Sequence, residues 1–536
     1  MMPSTPKIIY PLGAYTLHGL IWQNDPNDKP YAIAVDSLQG HLLKIDPHTE
    51  GATVLNRLTT DQFRDITDIA LVGDVLWAVR DNRILYCHTK DYELETFMEL
   101  PERIEGITVS EGGVYVSSKD SRSIFVIGRA TRTLLRVMDA PGIGCESLTL
   151  KGEELWVSDD TEETIYCMEA KTGVIKYRAL TAFPHPTSLG FCGRQLYVLY
   201  TGIEHYIREN PNDPDPFAVD IRDKTFIHQM DITTKLDAPI PHTLSNGFLV
   251  EMTYLEELDS EDPKAVANLN WRIALPTNTD RQKLISVDYV GVPFTEEVIE
   301  EQRIAKFALG DLEPGEACLF GWKALVELRG IKYELKPEMV DDIPELPEDI
   351  KAQYTIDDDD LCMDSPIMQE AAKAAVGHET NLLLKMLRIR EYVYDQLSYR
   401  LTPYIATPDE VWQRGTASCG EYVGVLLALA RLNGIACRTI GRYKCPPYAE
   451  QHQQILHQYY NHVWIEFYVP GFGWLPMESN PDDIGRAPYP TRWFMGLPWF
   501  HVEIGKGISF ETIKPQPYSI GELAVNHVRF KIIKEL

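Results

Sequence analysis

The sequence predicts a multidomain chain: an all-β, propeller-like N-terminal region, a β-sandwich middle domain and an α+β C-terminal domain. Three observations carry this expectation. Short aromatic strand cores recur about every forty residues in the first part of the chain. After a proline-rich break, apolar and polar residues alternate without that period. Helix-period segments appear only beyond an acidic, proline-spaced run.

The repeated cores are Leu76-Trp77-Ala78-Val79, Val114-Tyr115-Val116-Ser117, Leu155-Trp156-Val157-Ser158 and Leu196-Tyr197-Val198-Leu199, with an earlier copy around Tyr31 to Lys44. One such unit cannot bury both its faces, so the copies must pack against each other. About five fit between Tyr15 and Thr201. Asp81, Asp120 and Asp159 follow the aromatic strand at similar positions and read as turn residues that satisfy backbone N–H groups.

The break is Asn210 to Pro216, which gives a first domain over 15–216. Strand candidates Phe226–Ile232, Trp271–Leu275, Leu284–Val290, Ile304–Phe307 and Ala317–Leu328 then suggest a sandwich over 224–335. Residues 336–362 read as a solvated acidic linker, and 363–536 as the last domain. Met368 to Val376 and Thr380 to Leu397 carry apolar residues at helix spacing.

The chain has 536 residues and a net charge of −28, which excludes broad electrostatic binding to nucleic acid or to anionic membranes. Met1 to Ala14 lacks the pattern of a signal peptide, and no stretch is long and apolar enough to span a bilayer. The nine cysteines have no repeated spacing and are expected to be free thiols in the cytoplasm.

The chemistry is concentrated after Thr407. Ser418-Cys419-Gly420-Glu421 runs directly into the apolar Val423 to Leu432, with Asn433-Gly434 as a helix stop. Cys419 therefore starts a buried helix, where unpaired N–H groups and the helix dipole favour a thiolate. A second element, His462 to Val469, alternates with period two, turns at Pro470 to Gly473 and returns as Trp474 to Glu478. That hairpin brings Glu478 or its neighbours alongside His462, so a carboxylate can orient an imidazole. Cysteine, base and orienting acid make the logic of acyl transfer. The alternative is a binding scaffold whose first domain presents a face to a protein partner.

Cys419 and its helix, Arg431-Leu-Asn-Gly434, His462-Val-Trp-Ile-Glu466 and Gly473-Trp474-Leu-Pro476-Met-Glu478 together resemble the transglutaminase-like superfamily. The resemblance implies a papain-like fold and an acyl-enzyme formed from a peptide or glutamine carbonyl. Cys419 would be the nucleophile, His462 the base and Glu478 the acid, at a place where most members have aspartate. Asn480 and Asp482 stand as alternatives for that third role. Gln413, six residues before Cys419, sits where papain-like enzymes keep an oxyanion-hole glutamine. The implied partner is a protein or peptide substrate, with no cofactor. Cys445, His452, His457 and His462 lack the spacing of a structural zinc site, so no metal is expected. Cys437 reads as core, and Trp493, Trp499 and Phe500 as mostly packing, with the lining of a substrate groove as the alternative.

Overall fold

A computed structural model describes residues 5–201, 225–258, 266–300, 302–313, 316–358, 360–402, 404–447, 453–457, 461–514 and 523–536. The chain divides into two compact units, Met1–Thr233 and Thr234–Leu536.

Among the described residues, the first unit contains five four-stranded antiparallel sheets. The first strands of the sheets are Leu17–Asn24, Asp68–Val72, Ile107–Val109, Cys145–Lys151 and Pro186–Cys192. Each packs against the next, and the last packs against the first. In three sheets the turn from first to second strand holds a glycine, Gly73, Gly152 or Gly193, with φ of 63°, 64° and 62°. That left-handed backbone is cheap only without a side chain. Side-chain hydrogen bonds stitch neighbouring sheets together at or beside their first strands. Thr67 donates to the Glu105 carbonyl, Ser147 and Ser188 share a bond of 2.9 Å, and Thr187 donates to the Leu17 carbonyl. Asp68 reaches furthest: its Oδ2 accepts from the N–H groups of both Ile107 (2.8 Å) and Leu148 (3.2 Å).

The strand expected to open the sandwich, Phe226–Ile232, belongs here instead. As Phe226–Met230 it lies in the fifth sheet between Gln195–Tyr200 and Ile8–Ile9. The fifth sheet is completed by residues from both ends of the unit, with Ile8 opposite His228. The unit therefore ends at Thr233, beyond the expected 216, and the break at 210–216 lies outside the described residues. Asp159 is fully buried and accepts from the N–H groups of Gly144, Thr161 and Glu162, while Asp81 adopts a left-handed turn conformation and Asp120 is exposed.

In the second unit, His242–Leu258 runs between Cys318–Tyr333 and Ala524–Glu535. A four-stranded sheet of Phe294–Ile299, Gln302–Leu312, Val266–Ala274 and Glu511–Lys514 packs on it through Trp271, Phe307 and Phe320. Both sheets thus take strands from the far C-terminal end, which sequence reading had assigned wholly to the last domain. The remaining part is helical and packs on a third sheet, ordered Gly473–Met477, His462–Val469, Cys437–Lys444, His501–Ile504. Helices Pro366–Val376, Leu382–Gln396 and Cys419–Leu432 share one core with this sheet. Asn381 caps the second of them, accepting from Leu383 and Leu384 N–H.

The acidic run expected as a solvated linker is not one throughout. It contains helix Glu348–Tyr354, buries Val340 and Tyr354, and is tied by Arg431 to the Ile356 carbonyl and Asp358. Tyr354 meets the Trp474 ring at 5.0 Å, and apolar burial of this kind outweighs the pull of the flanking acids towards solvent. No helix among the described residues is long and apolar enough to cross a membrane.

The Asp68 contacts generate a local test. Asp68→Ala leaves two buried N–H groups without an acceptor, a loss on the order of 2–4 kcal/mol. Asp68→Asn keeps one acceptor oxygen at the same place. Hydrogen exchange should therefore speed up across Ile107–Val109 and Cys145–Lys151 in the alanine variant and much less in the asparagine variant.

Candidate active site

Cys419 is the first residue of helix Cys419–Leu432. Ser418 caps it, and the Ser418 N–H donates to Glu421 Oε2 at 2.7 Å. Glu421 is buried and also takes bonds from the Ala406 N–H and the Arg414 guanidinium. The nucleophile candidate is thus set by a helix start pinned from three sides.

The thiol lies against the beginning of strand His462–Val469. Its Sγ donates to the Asn461 carbonyl at 3.9 Å, and the Val463 N–H also acts on it. Sγ is bracketed by the residues before and after His462, yet its own hydrogen bond goes to the backbone and not to the imidazole. Burial pushes the thiol up, and the Gly420 and Val463 N–H groups pull it back only in part. Desolvation is thus the largest influence on the thiol and works against the thiolate expected at a helix start.

His462 is buried and bonds Glu478 through Nε2, at 2.8 Å to each carboxylate oxygen. Strand pairing explains the meeting: Ile465 sits opposite Met477, so Glu478 leaves its strand next to the start of its neighbour. Asn480 accepts from Ser479 Oγ, and Asp482 is held by Arg390 at 3.2 Å and Arg492 at 2.8 Å. Of the three acids and amides considered from sequence, Glu478 is the one in contact with the imidazole.

Glu478 has further partners that sequence reading missed. Oε1 meets Lys444 Nζ at 3.0 Å and His501 Nε2, and Oε2 accepts from the Ser479 N–H at 2.9 Å. Burial alone would raise this carboxyl, but His462, Lys444 and His501 together hold it well below the usual carboxylate range. Burial lowers the His462 imidazole, with Glu478 opposing and Lys444 assisting. His501, fully buried, is lowered to about 3, chiefly by burial and then by Lys444. These directions favour an ionised carboxylate between two neutral rings. Neither Lys444 nor His501 has a motif around it; His501 directly follows the Trp493 to Phe500 stretch that read mostly as packing.

Donor atoms of His462, Glu478 and His501 lie within 4.8 Å of one another, a composition that could hold a metal ion. The carboxylate already serves both rings, and the Lys444 ammonium beside it opposes a cation, so the set is a hydrogen-bonded network. Of the other histidines and cysteines considered, Cys445 is buried, His457 is exposed and His452 lies outside the described residues.

Cys419 and His462 line one cleft of about 500 Å³. Its walls include Leu401, Ile405, Ile440, Ile504, Ile508 and Phe510. Gln413 is exposed on helix Pro408–Arg414 and is not among the residues lining the cleft, so the offset predicted from sequence does not bring it to the thiol. The short helix carrying it ends at Gly415, and the chain turns before reaching Cys419.

Acid should destabilise this site. Between about 6.5 and 3 the unfolded chain protonates residue 501 while the folded chain does not, so stability falls as pH drops through that window. Glu478 adds a loss at lower pH, because its stabilisation exists above the unfolded carboxylate pKa and disappears as pH falls towards the lowered folded value. Denaturation midpoints measured from pH 7 to pH 4 should decline more steeply in the wild type than in His501→Gln.

Comparison with known proteins bears on the same segment. The model of the transglutaminase-like superfamily matches residues 369–479. No curated protein matches the chain. Among solved structures, a proposed cysteine protease from Cytophaga hutchinsonii aligns with 55% of this chain and 93% of its own at 14% identity, with a TM-score of 0.40. The glutaminyl cyclase of Myxococcus xanthus aligns with 42% of this chain and 97% of its own at 8% identity, with a TM-score of 0.30. The structural likenesses are too loose to bear on function. The chain carries a transglutaminase-like domain over residues 369–479, and that segment contains Cys419, His462 and Glu478.

Proposed function

We propose that the protein is a cysteine-dependent acyl-transfer enzyme acting on a peptide or glutamine carbonyl, with Cys419 as nucleophile, His462 as base and Glu478 as orienting acid. The observation that carries this reading is the buried His462–Glu478 pair at the backbone that brackets the Cys419 thiol. Because His462 Nε2 is committed to Glu478, Nδ1 is the nitrogen left to take the thiol proton. The thiolate then attacks the carbonyl carbon, and the C=O electron pair moves onto oxygen. In place of Gln413, the backbone N–H of Cys419 at the helix start is the proposed oxyanion donor. The imidazolium returns its proton to the leaving amine, and the thioester passes its acyl group to water or to a second amine. Hydrolysis is the favoured outcome, since no amine-binding group stands out among the described residues that line the cleft. The apolar walls favour substrates with bulky apolar residues near the reacting carbonyl.

The first unit is proposed to be a five-bladed β-propeller that recruits a protein partner or substrate, in a reducing, cytoplasmic setting. Recruitment predicts a higher kcat/KM for an intact protein substrate than for the peptide excised from it. The second reading is a binding protein with an idle catalytic domain, favoured by the thiol's bond to the Asn461 carbonyl and its raised pKa.

A fluorogenic peptide library, with and without added amine, separates the two readings. Turnover should vanish in Cys419→Ala and His462→Ala, and an acyl adduct should map to Cys419 by mass spectrometry. Glu478→Gln should lower kcat by about 10²–10⁴, whereas Asn480→Ala should stay close to wild type. Turnover that survives Cys419→Ala, or no adduct at Cys419 with any acyl donor, would leave the binding protein as the answer.

A further inference from the structure

We propose that Lys444 and His501 are positioning residues that make a glutamate workable as the acid behind His462. The inference rests on the reading of Cys419 and His462 given above. A glutamate has one more side-chain torsion than an aspartate, so a catalytic glutamate has more ways to miss its imidazole. Here that freedom is removed. Oε1 is held by His462, Lys444 and His501, and Oε2 by His462 and the Ser479 N–H.

The two extra donors come from one structural accident of pairing. Lys444 and His501 are direct partners on adjacent antiparallel strands. Directly opposed residues send their side chains to the same side of a sheet, and both of these end on Glu478 Oε1. His501 is locked in place from its other sides. Its ring lies 4.8 Å from Trp464 and 5.0 Å from Phe500, and its carbonyl accepts from Arg281 at 2.7 Å. Its Nδ1 is buried without a hydrogen-bond partner. Protonation there would leave a buried N–H unpaired, so His501 serves as a neutral donor and not as a proton carrier.

Lys444 does something different. It brings an ammonium group to Glu478 at 3.0 Å, where the other two side-chain partners bring imidazoles, and its side chain is only about a quarter exposed, at 24%. With that charge beside it, Glu478 stays ionised without requiring an imidazolium at residue 462. His462 can then rest neutral, as a base must before it takes a proton. The charged and titratable groups that act on His462 are Glu478 and Lys444, with His501 and Cys419 next to them.

Lys444→Met and His501→Gln in the full-length chain test the proposal, with Lys444→Arg as the charge-retaining control. For His501→Gln, kcat should fall by about a hundredfold with KM little changed. In Lys444→Met the acidic limb of the kcat/KM profile should move to higher pH, because His462 becomes easier to protonate. Lys444→Arg should restore the wild-type limb. Hydrogen exchange at the imidazole C2 of His462, read by mass spectrometry against pH, reports the same shift without requiring turnover. It therefore keeps this proposal separate from failure of the enzyme reading, and Lys444→Met covers the case in which His501→Gln does not fold. An unmoved His462 midpoint in Lys444→Met would overturn the role of Lys444. Wild-type kcat in a folded His501→Gln protein would overturn that of His501.

Discussion

A carboxylate without access to water, Glu478, is the constraint on which the site depends. Taking such a group out of water is costly unless its lone pairs are filled and its charge is balanced. The fold meets both needs with groups from separate segments. His462 comes from one strand, Lys444 from its neighbour, His501 from the strand beyond, and the Ser479 N–H from the chain just after the acid. Three of these positions exist only because the sheet is assembled, so the catalytic constellation and the sheet fold together. Removing any one donor leaves a buried charge under-satisfied, which links activity and stability at this point in the chain.

The surrounding structure serves the same end. Arg390 is fully buried and holds Asp482 and the Pro490 carbonyl, which fixes the loop that follows Glu478. Arg281 binds the carbonyls of Pro498, Trp499 and His501 and the carboxylate of Glu503, fixing the strand that brings His501. On the nucleophile side, Glu421 ties the helix start to Arg414 and Ala406. Three buried charged residues outside the acyl-transfer set thus hold the segments next to Glu478 and the helix start at Cys419. The cost of burying them is offset by hydrogen bonds to backbone that would otherwise be unpaired.

How much of this was legible in the sequence depends on whether the signal was local. The helix headed by Cys419 and the hairpin from His462 to Glu478 were readable, because caps, turn residues and period-two alternation are written in adjacent residues. The forty-residue repeat was readable for the same reason. Pairings between distant segments left no such mark. Phe226–Met230 pairs with Ile8–Ile9, and Ala524–Glu535 pairs with His242–Leu258, so the expected domain limits shifted. Lys444 and His501 were invisible because their meaning comes from a cross-strand register. Gln413 was placed by an offset borrowed from a resemblance, and the turn after Gly415 takes it elsewhere. The helix-terminus argument for a thiolate named a real effect but omitted the larger one, desolvation of the thiol.

The central claim is that an ionised Glu478 lies between two neutral imidazoles, leaving His462 ready to act as a base. Exchange at the imidazole C2 position, followed by mass spectrometry from pH 3 to pH 9 in the wild-type protein, tests it most directly. The account predicts that His501 stays unprotonated down to about pH 3 and that His462 titrates below the ordinary histidine value. Midpoints at or above the ordinary value of about 6.5 for both residues would mean that burial does not hold the rings neutral as the account requires, and would contradict it.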